Sequence, residues 1–411
     1  MRDQLLGREP EDFDVATSAR AEDIERLFAR TVPVGKQFGV MLVVEGDAQF
    51  QVATFRAEAD YRDGRHPEHV TFTDAINDAR RRDFTVNGLF FDPLAGAVHD
   101  WVGGQADLNA RVIRTIGAPA ERFAEDHLRL LRAVRFAAQL GFEIEAETFA
   151  AVRAHASKIA TVSAERVRDE LLKLFRAPHA ARGLDLLHAS GLMPFVLPEL
   201  EPLITCEQPP EFHPEGTVFT HLRLMLEQLP TGAPDSLAWA ILLHDIAKPM
   251  TFSRDADTGR IRFNEHEKIG ADMAATILRR LRFPKKQIDE IVACVRMHMQ
   301  FKDAPQMRKS TLRRMLLRPT FPLELELHRL DCLGSHGRLD HYELLQREAG
   351  ALARQPALRP PLLTGHDLLA LGVKPGPPMG ALLHELRDRQ LAEELKTPDE
   401  ARAWVRQRLE G

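Results

Sequence analysis

Apolar residues change their spacing once along this chain, and that change limits the folds open to it. Up to about residue 110 the spacing mixes strand and helix signals; from about residue 120 onward it is helical. Val40 to Val44 and Gln49 to Phe55 are two β-rich runs separated by Glu45-Gly46-Asp47-Ala48, which reads as a hairpin. Phe13 to Thr17 is a shorter β-compatible run, and Ser18 and Asp23 are cap candidates for a helix through Ile24 to Arg30. Farther on, Ala124 to Leu140, Ala146 to His155 and Ala164 to Phe175 carry spaced apolar positions, and a second helical block covers about 217–350. Pro202, Pro209, Pro210 and Pro214 mark residues 202–216 as a linker. Thr397-Pro398-Asp399-Glu400 reads as a capping box with proline at the first helical position, opening a last helix to about Leu409. The pattern predicts an α/β head followed by helical domains.

Composition narrows the functional classes. The formal net charge is −5, so any nucleic-acid surface must be a local patch on a mildly acidic protein. Cys206, Cys294 and Cys332 form no CxxC pair, which argues against a disulfide framework and a thiolate zinc site and fits a reducing cytoplasm. No apolar run approaches a membrane span, and the charged, turn-like start from Met1 to Glu11 does not read as a signal peptide, so a cytoplasmic location is expected.

The first chemical feature is Asp12-Phe13-Asp14. Side chains two apart on a strand share a face, so Asp12 and Asp14 would point together while Phe13 and Val15 enter the core. Paired carboxylates suit Mg²⁺, which prefers oxygen ligands and bridges substrate phosphates. A DxD pair also occurs often on solvated turns, and its neighbours decide the weight it carries. The stretch Arg2-Asp3 to Arg8 with Asp12 to Thr17 resembles the opening motif of the class II tRNA nucleotidyltransferase and bacterial poly(A) polymerase family, part of the DNA polymerase beta superfamily. Thr54-Phe55-Arg56 with Tyr61 and Asp63-Gly64-Arg65, then Asp78 to Asn87, then Arg122-Phe123 with Glu125-Asp126-His127-Leu128-Arg129, then Glu165 to Leu171 resemble its later motifs, in family order, over about residues 1–180.

The resemblance implies roles these side chains can fill. Asp12 and Asp14 would hold the catalytic metal, and Arg2 would meet the triphosphate, where a guanidinium fork suits phosphate oxygens. Arg82 and Asn87 would contact the nucleotide, with Asn87 near the ribose hydroxyls. Asp126 and Arg129 would read the incoming base, and Arg132 and Arg135 extend that surface. Helical geometry puts Leu130, Leu131, Val134, Ala137 and Ala138 on one apolar arc, with Arg129, Arg132 and Arg135 on the opposite one and Asp126 bordering them. The family also opens with a strand and a glycine–glycine turn that cradles the triphosphate. Here Met1 falls just before Arg2-Asp3, so the head is expected to be an N-terminally shortened version of the working enzyme.

A second constellation is His221, His244-Asp245, His266, His298 and Asp331. Over about residues 217–340 it resembles the HD superfamily of metal-dependent phosphohydrolases. His221, His244, Asp245 and Asp331 match its metal set, and His266 and His298 match the extra ligands of two-metal members. Imidazole and carboxylate ligands suit Zn²⁺, Ni²⁺, Mn²⁺ or Fe²⁺, and spacing does not choose among them. The basic run Arg308-Lys309 to Arg318 reads equally as an RNA-phosphate contact or a solvated face. His366-Asp367 resembles a C-terminal segment of these enzymes rather than a metal site.

The expected architecture is a nucleotidyltransferase head over 1–108, a helical neck over 109–201 that binds RNA and nucleotide, an HD domain over 210–350 and a helical C-terminal segment over 360–411. The expected reaction adds CCA to tRNA 3′ ends from CTP and ATP with release of pyrophosphate. The motifs are shared with enzymes that add only A or make poly(A) tails, and a rival from another class is an inactive RNA-binding head on a working HD phosphohydrolase.

Overall fold

The computed structural model describes residues 1–410 apart from 11–12, 62–66, 177 and 356–359. Asp12 and part of the Tyr61–Arg65 motif therefore lie outside the described residues. The chain forms two compact units, one of residues 1–201 with 230–232 and 280–283, the other of 202–229, 233–279 and 284–411.

The first unit opens on a four-stranded sheet of β1 (Asp14–Thr17), β2 (Thr31–Gly35), β3 (Val40–Glu45) and β4 (Ala48–Thr54) in the order β1-β4-β3-β2. The predicted hairpin is β3–β4. Glu45 pairs with Ala48, which leaves Gly46-Asp47 as the turn, and Gly46 takes φ 59°, a conformation that favours glycine. Helix α1 (Ala21–Leu27) packs Ala21 and Ile24 on Met41, Val43 and Val52. It starts earlier than the expected Ile24 because the Asp23 carboxylate accepts the Arg20 backbone N–H at 3.2 Å.

Phe13 and Val15 do not enter the core. Val15 aligns with the buried Val52, on the face carrying Met41 and Val43, yet it is 44% exposed and Phe13 56%. The reason is position. Strand β1 lies at the sheet edge, paired with β4 alone among the described residues, so its apolar side chains lack a neighbouring strand to cover them. Asp14 aligns with Gln51 on the other face, as the alternation predicts.

The expected helix Ala124–Leu140 is two helices, α2 (Pro119–Glu125) and α3 (Leu128–Leu140), broken at Asp126 and His127. Asp126 is extended, and its Oδ1 accepts the Leu128 N–H at 3.1 Å; the side chain competes for a backbone donor that a continuous helix would use. Within α3 the predicted apolar arc is fully buried at Leu130, Leu131, Val134, Ala137 and Ala138. Gly141 closes α3 at φ 70°, with the Phe142 and Gly141 N–H groups returning to the carbonyls of Ala137 and Ala138. Helix α4 (Ala164–Leu174) packs against α3.

The second unit is built around α6 (Asp235–Leu243), whose residues from Ser236 to Leu243 are all buried. A helix apolar on every side belongs inside a bundle, and α6 is surrounded by α5 (Val218–Glu227), α8 (Lys285–Met297) and α10 (Phe321–Gly334). Helix α7 (His266–Arg280) follows a small hairpin, Phe252–Arg254 with Ile261–Phe263, whose three-residue strands are too short to show alternation. Leu363, Leu368, Leu386 and Val405 form a separate C-terminal core. The predicted capping box opens its last helix, α12 (Pro398–Glu410): Thr397 Oγ1 accepts the Glu400 N–H at 3.2 Å and Glu400 Oε2 accepts the Thr397 N–H at 3.4 Å. Among the described residues no helix is long and apolar enough to cross a membrane.

The basic run is α9 (Lys309–Leu316) with its flanks, and its charges are used inside the protein. Lys309 and Arg313 pair with Glu393, Arg314 pairs with Asp388, and Arg318 pairs with Glu324. Arg313 also donates to the Leu391 carbonyl at 2.9 Å, at the end of α11 (Pro377–Leu391). The run thus fastens the C-terminal segment. Arg313→Ala should cost about 1–3 kcal/mol, since it removes charged hydrogen bonds. Trypsin should release the segment sooner; cleavage at the wild-type rate would mean that the run does not hold it.

Candidate functional sites

In the first unit, motifs far apart in sequence meet through a chain of polar contacts. Arg2 Nη1 donates to Asn87 Oδ1 at 2.8 Å, and Asn87 Nδ2 donates to Asp83 Oδ1 at 3.0 Å. Arg132 Nε donates to the other Asp83 oxygen at 2.7 Å. Glu170 then joins Arg132, at 3.6 Å, to Arg135, at 2.5 Å. Arg82 Nη1 donates to the Asn87 carbonyl at 3.0 Å and stacks over Phe90. Arg2, Arg132 and Arg135 all lie over the Phe136 ring, Arg135 at 3.8 Å. The structure therefore brings together Arg2, Arg82, Asn87, Arg132 and Arg135, five of the expected nucleotide-binding residues.

Their electrostatics follow from that packing. Burial alone would raise the Asp83 carboxyl, but the Arg132 guanidinium, Asn87 and the Phe84 N–H outweigh burial and hold it below its ordinary value. Burial lowers Arg135 despite Glu170. Arg129 and Arg135 are not on a solvated arc; both are buried, and each has a carboxylate partner.

Asp126 and Arg129 are not paired with each other. Asp126 Oδ2 accepts from Arg166 at 2.7 Å, whereas Arg129 pairs with Glu125 and donates to the Arg122 and Arg81 carbonyls at 3.1 and 3.2 Å. The helix break between α2 and α3 is the cause: it turns Asp126 off the helical surface on which an i,i+3 pair would form. Asp83, Glu125, Arg166 and Glu170 are the residues that sequence reasoning left without roles. Their signal was membership of the motifs, with no periodicity to say which arginine each would meet.

In the second unit, six expected ligands converge. His244 caps the end of α6, His266 opens α7, His298 follows α8 and Asp331 lies on α10. Each ring presents Nδ1 to a backbone carbonyl: His244 to Ile241 at 2.8 Å, His266 to Phe263 at 2.8 Å, His298 to Val295 at 2.7 Å and His221 to Gly334 at 3.3 Å. A carbonyl only accepts, so Nδ1 carries the proton and the Nε2 lone pairs point inward. His221 Nε2 lies 3.1 Å from Asp331, and His244 Nε2 lies 3.1 Å from Asp245 Oδ2. Both nitrogens are buried without a hydrogen bond. His266 Nε2 and His298 Nε2 face each other at 3.1 Å, 3.3 and 3.7 Å from Asp245 Oδ1.

Inward lone pairs around a central carboxylate fit a cation. His221, His244 and Asp245 form one potential ligand group and Asp245, His266 and His298 another, with Asp245 common to both. Burial pushes His298 down to about 3, which keeps its ring neutral. Burial opposes charge on His221, but Asp331 and Glu215 outweigh it and push it up to about 9, so without a cation a proton takes the equivalent place. Burial would raise Asp245, yet His244 and Lys248 hold it well below its ordinary value. Lys248, also buried, donates to Asp245 at 2.7 Å and to Gln208 at 2.6 Å. Sequence reasoning passed over Lys248, Gln208, His213 and Glu215, the last three because they lie in a stretch read as a linker. His366-Asp367 is no metal pair, since Asp367 caps its own helix by accepting the Thr364 N–H at 2.7 Å.

Residues 1–114 match the poly A polymerase head domain, residues 141–204 the probable RNA and SrmB-binding site of polymerase A, and residues 213–331 the HD domain. An A-adding tRNA nucleotidyltransferase of Deinococcus radiodurans is 36% identical over 424 residues, covering 98% of this chain and 93% of that protein. The chain belongs to the tRNA nucleotidyltransferase family. A CCA-adding enzyme of Staphylococcus aureus is 45% identical over 199 residues, which are 47% of this chain and 50% of the relative. The crystal structure of the Bacillus stearothermophilus CCA-adding enzyme in complex with CTP matches with a TM-score of 0.76 and 28% identity, covering 100% of this chain and 91% of that one. The protein is accordingly a nucleotidyltransferase, with the α/β head, helical body and HD domain that the motifs implied.

Asp83 offers a test of the network in this nucleotidyltransferase. Asp83→Asn leaves Arg132 facing a neutral amide and should cost about 1–3 kcal/mol at neutral pH. The native carboxyl titrates below its unfolded value, so its contribution is present above that value and fades as pH falls through the native one. Urea unfolding from neutral pH down to about pH 3 should show the gap between wild type and variant narrowing. A constant gap would mean that Asp83 acts through packing alone.

Proposed function

We propose that this nucleotidyltransferase adds CCA to tRNA 3′ ends, the RNA 3′-hydroxyl attacking the α-phosphate of CTP or ATP and pyrophosphate leaving. The observation that carries the reading is the meeting of Arg2, Arg82, Asn87 and Arg132 around Asp83, a set of fixed donors for a triphosphate and a ribose. Asp12 and Asp14 would hold Mg²⁺, which when bound offsets charge on the phosphates and eases loss of the hydroxyl proton. Arg2 and Arg82 then bind phosphate oxygens, and Asn87 orients the sugar. Asp126 accepts from the exocyclic amino group of C or A, which U lacks. For Arg129 to share that base edge, its guanidinium must leave Glu125.

A second reading, addition of A alone, is favoured by the relative from Deinococcus radiodurans, whose match extends over nearly the whole chain. One assay separates the two. tRNA lacking its last three nucleotides and tRNA ending in CC are each incubated with one nucleoside triphosphate at a time. CTP incorporation into the shorter tRNA supports CCA addition; ATP incorporation into the CC-ending tRNA alone supports the second reading. Asp14→Ala should abolish either incorporation with little change in thermal stability, and full activity in that variant would reject the metal role.

The HD cluster, on this reading, is a separate metal centre of His221, His244, Asp245 and Asp331 with His266 and His298 beside it. It would hold Zn²⁺, Ni²⁺, Mn²⁺ or Fe²⁺ and hydrolyse phosphomonoesters or cyclic phosphates on RNA ends that block extension. A His244→Ala/Asp245→Ala double variant should lose bound transition metal and phosphatase activity and still extend tRNA. Loss of extension in a folded double variant would mean that the two chemistries share one site.

A further inference from the structure

The proline-rich stretch before α5 reads as a spacer, but three of its side chains return to the histidine cluster. Gln208 reaches Lys248, and Glu215 Oε1 stands 2.8 Å from Nδ1 of both His213 and His221. The stretch is tied to the unit at its ends, where Glu207 bridges to Thr217 and the Val218 N–H donates to the Cys206 carbonyl at 3.0 Å.

His221 differs from the other three histidines. In His244, His266 and His298 the Nδ1 proton is held by the carbonyl three residues earlier, at 2.7 to 2.8 Å, so the local backbone sets the tautomer. His221 lies inside α5, where the carbonyls before it belong to the helix ladder or its start, and among the described residues its Nδ1 meets the Gly334 carbonyl at a long 3.3 Å and Glu215 at 2.8 Å. A carboxylate at 2.8 Å is the stronger acceptor of the two. Glu215 is itself 5% exposed at its side chain, and its Oε2 is buried without a hydrogen bond, a costly placement for a group that only spaces two domains.

We propose that Glu215 is the positioning residue that makes His221 a metal ligand, and that Gln208, His213 and Glu215 belong to the metal centre. The proposal rests on reading the cluster as a metal centre. Glu215 keeps the proton on Nδ1, aims Nε2 at the Asp331 side of the cluster and raises the basicity of the ring; His213 braces Glu215 from the other side through its own Nδ1. Carboxylate partners of this kind change metal affinity by about 10–100-fold.

The test uses the full chain, stripped with a chelator and reloaded with Co²⁺. Affinity is read by competition with a chromophoric chelator and coordination by the visible Co²⁺ bands. Glu215→Ala should weaken Co²⁺ binding by about 10–100-fold and alter those bands, and Glu215→Gln, which keeps an acceptor oxygen without the charge, should fall between it and wild type. Glu207→Ala, which removes a neighbouring carboxylate paired with Arg254, should match wild type. Equal affinity and spectra for wild type, Glu215→Ala and Glu215→Gln would overturn the proposal while leaving the metal centre standing. Failure of the wild type to take up Co²⁺ would overturn both. Should the metal-free Glu215→Ala variant melt early, Glu215→Gln against wild type decides alone.

Discussion

The buried ionic ladder Asp83–Arg132–Glu170–Arg135 is the contact on which the nucleotidyltransferase unit depends. It joins the Asp78–Asn87 motif, helix α3 and helix α4. A guanidinium withdrawn from water is tolerable only against carboxylates, so Asp83 and Glu170, themselves buried, are what allow the arginines to stand on a rigid helix face. Phe136 lies under both of those guanidiniums and under that of Arg2, and limits their rotation.

The HD cluster solves the converse problem. There the converging groups are imidazoles, and the fold sets their tautomer by giving each Nδ1–H a fixed acceptor, a backbone carbonyl three residues earlier in three cases. The same device that sets the tautomer sets the ring angle, so four Nε2 atoms from four separate elements face Asp245 or its neighbour Asp331. The buried Lys248 beside Asp245 shows how much negative charge the cluster concentrates.

Arginine-rich stretches meet three fates here, and composition does not distinguish them. Arg132 and Arg135 are partners of the buried acids Asp83 and Glu170. Arg129 is folded back on Glu125 and on backbone carbonyls. Arg313 and Arg314 fasten the C-terminal segment to α9. What separates them is the location of the acidic residue each one finds, and those acids come from distant parts of the chain.

The amino-acid sequence by itself determined the domain order and the family: the β3–β4 hairpin, the apolar arc of α3, the capping box of the last helix and the residues that meet in the HD cluster all rest on local spacing or motif identity. It misplaced Phe13 and Val15, because alternation gives a strand its faces but not its neighbours, and β1 is an edge. It ran one helix through Asp126, because a side chain taking a backbone donor leaves no mark on apolar periodicity. It passed over Glu215 and Gln208, because proline density describes how a segment is built and not where it returns. Only tertiary structure decided which charge meets which, since an ion pair between residues 49 positions apart, such as Arg132 and Asp83, is set by the packing of whole elements.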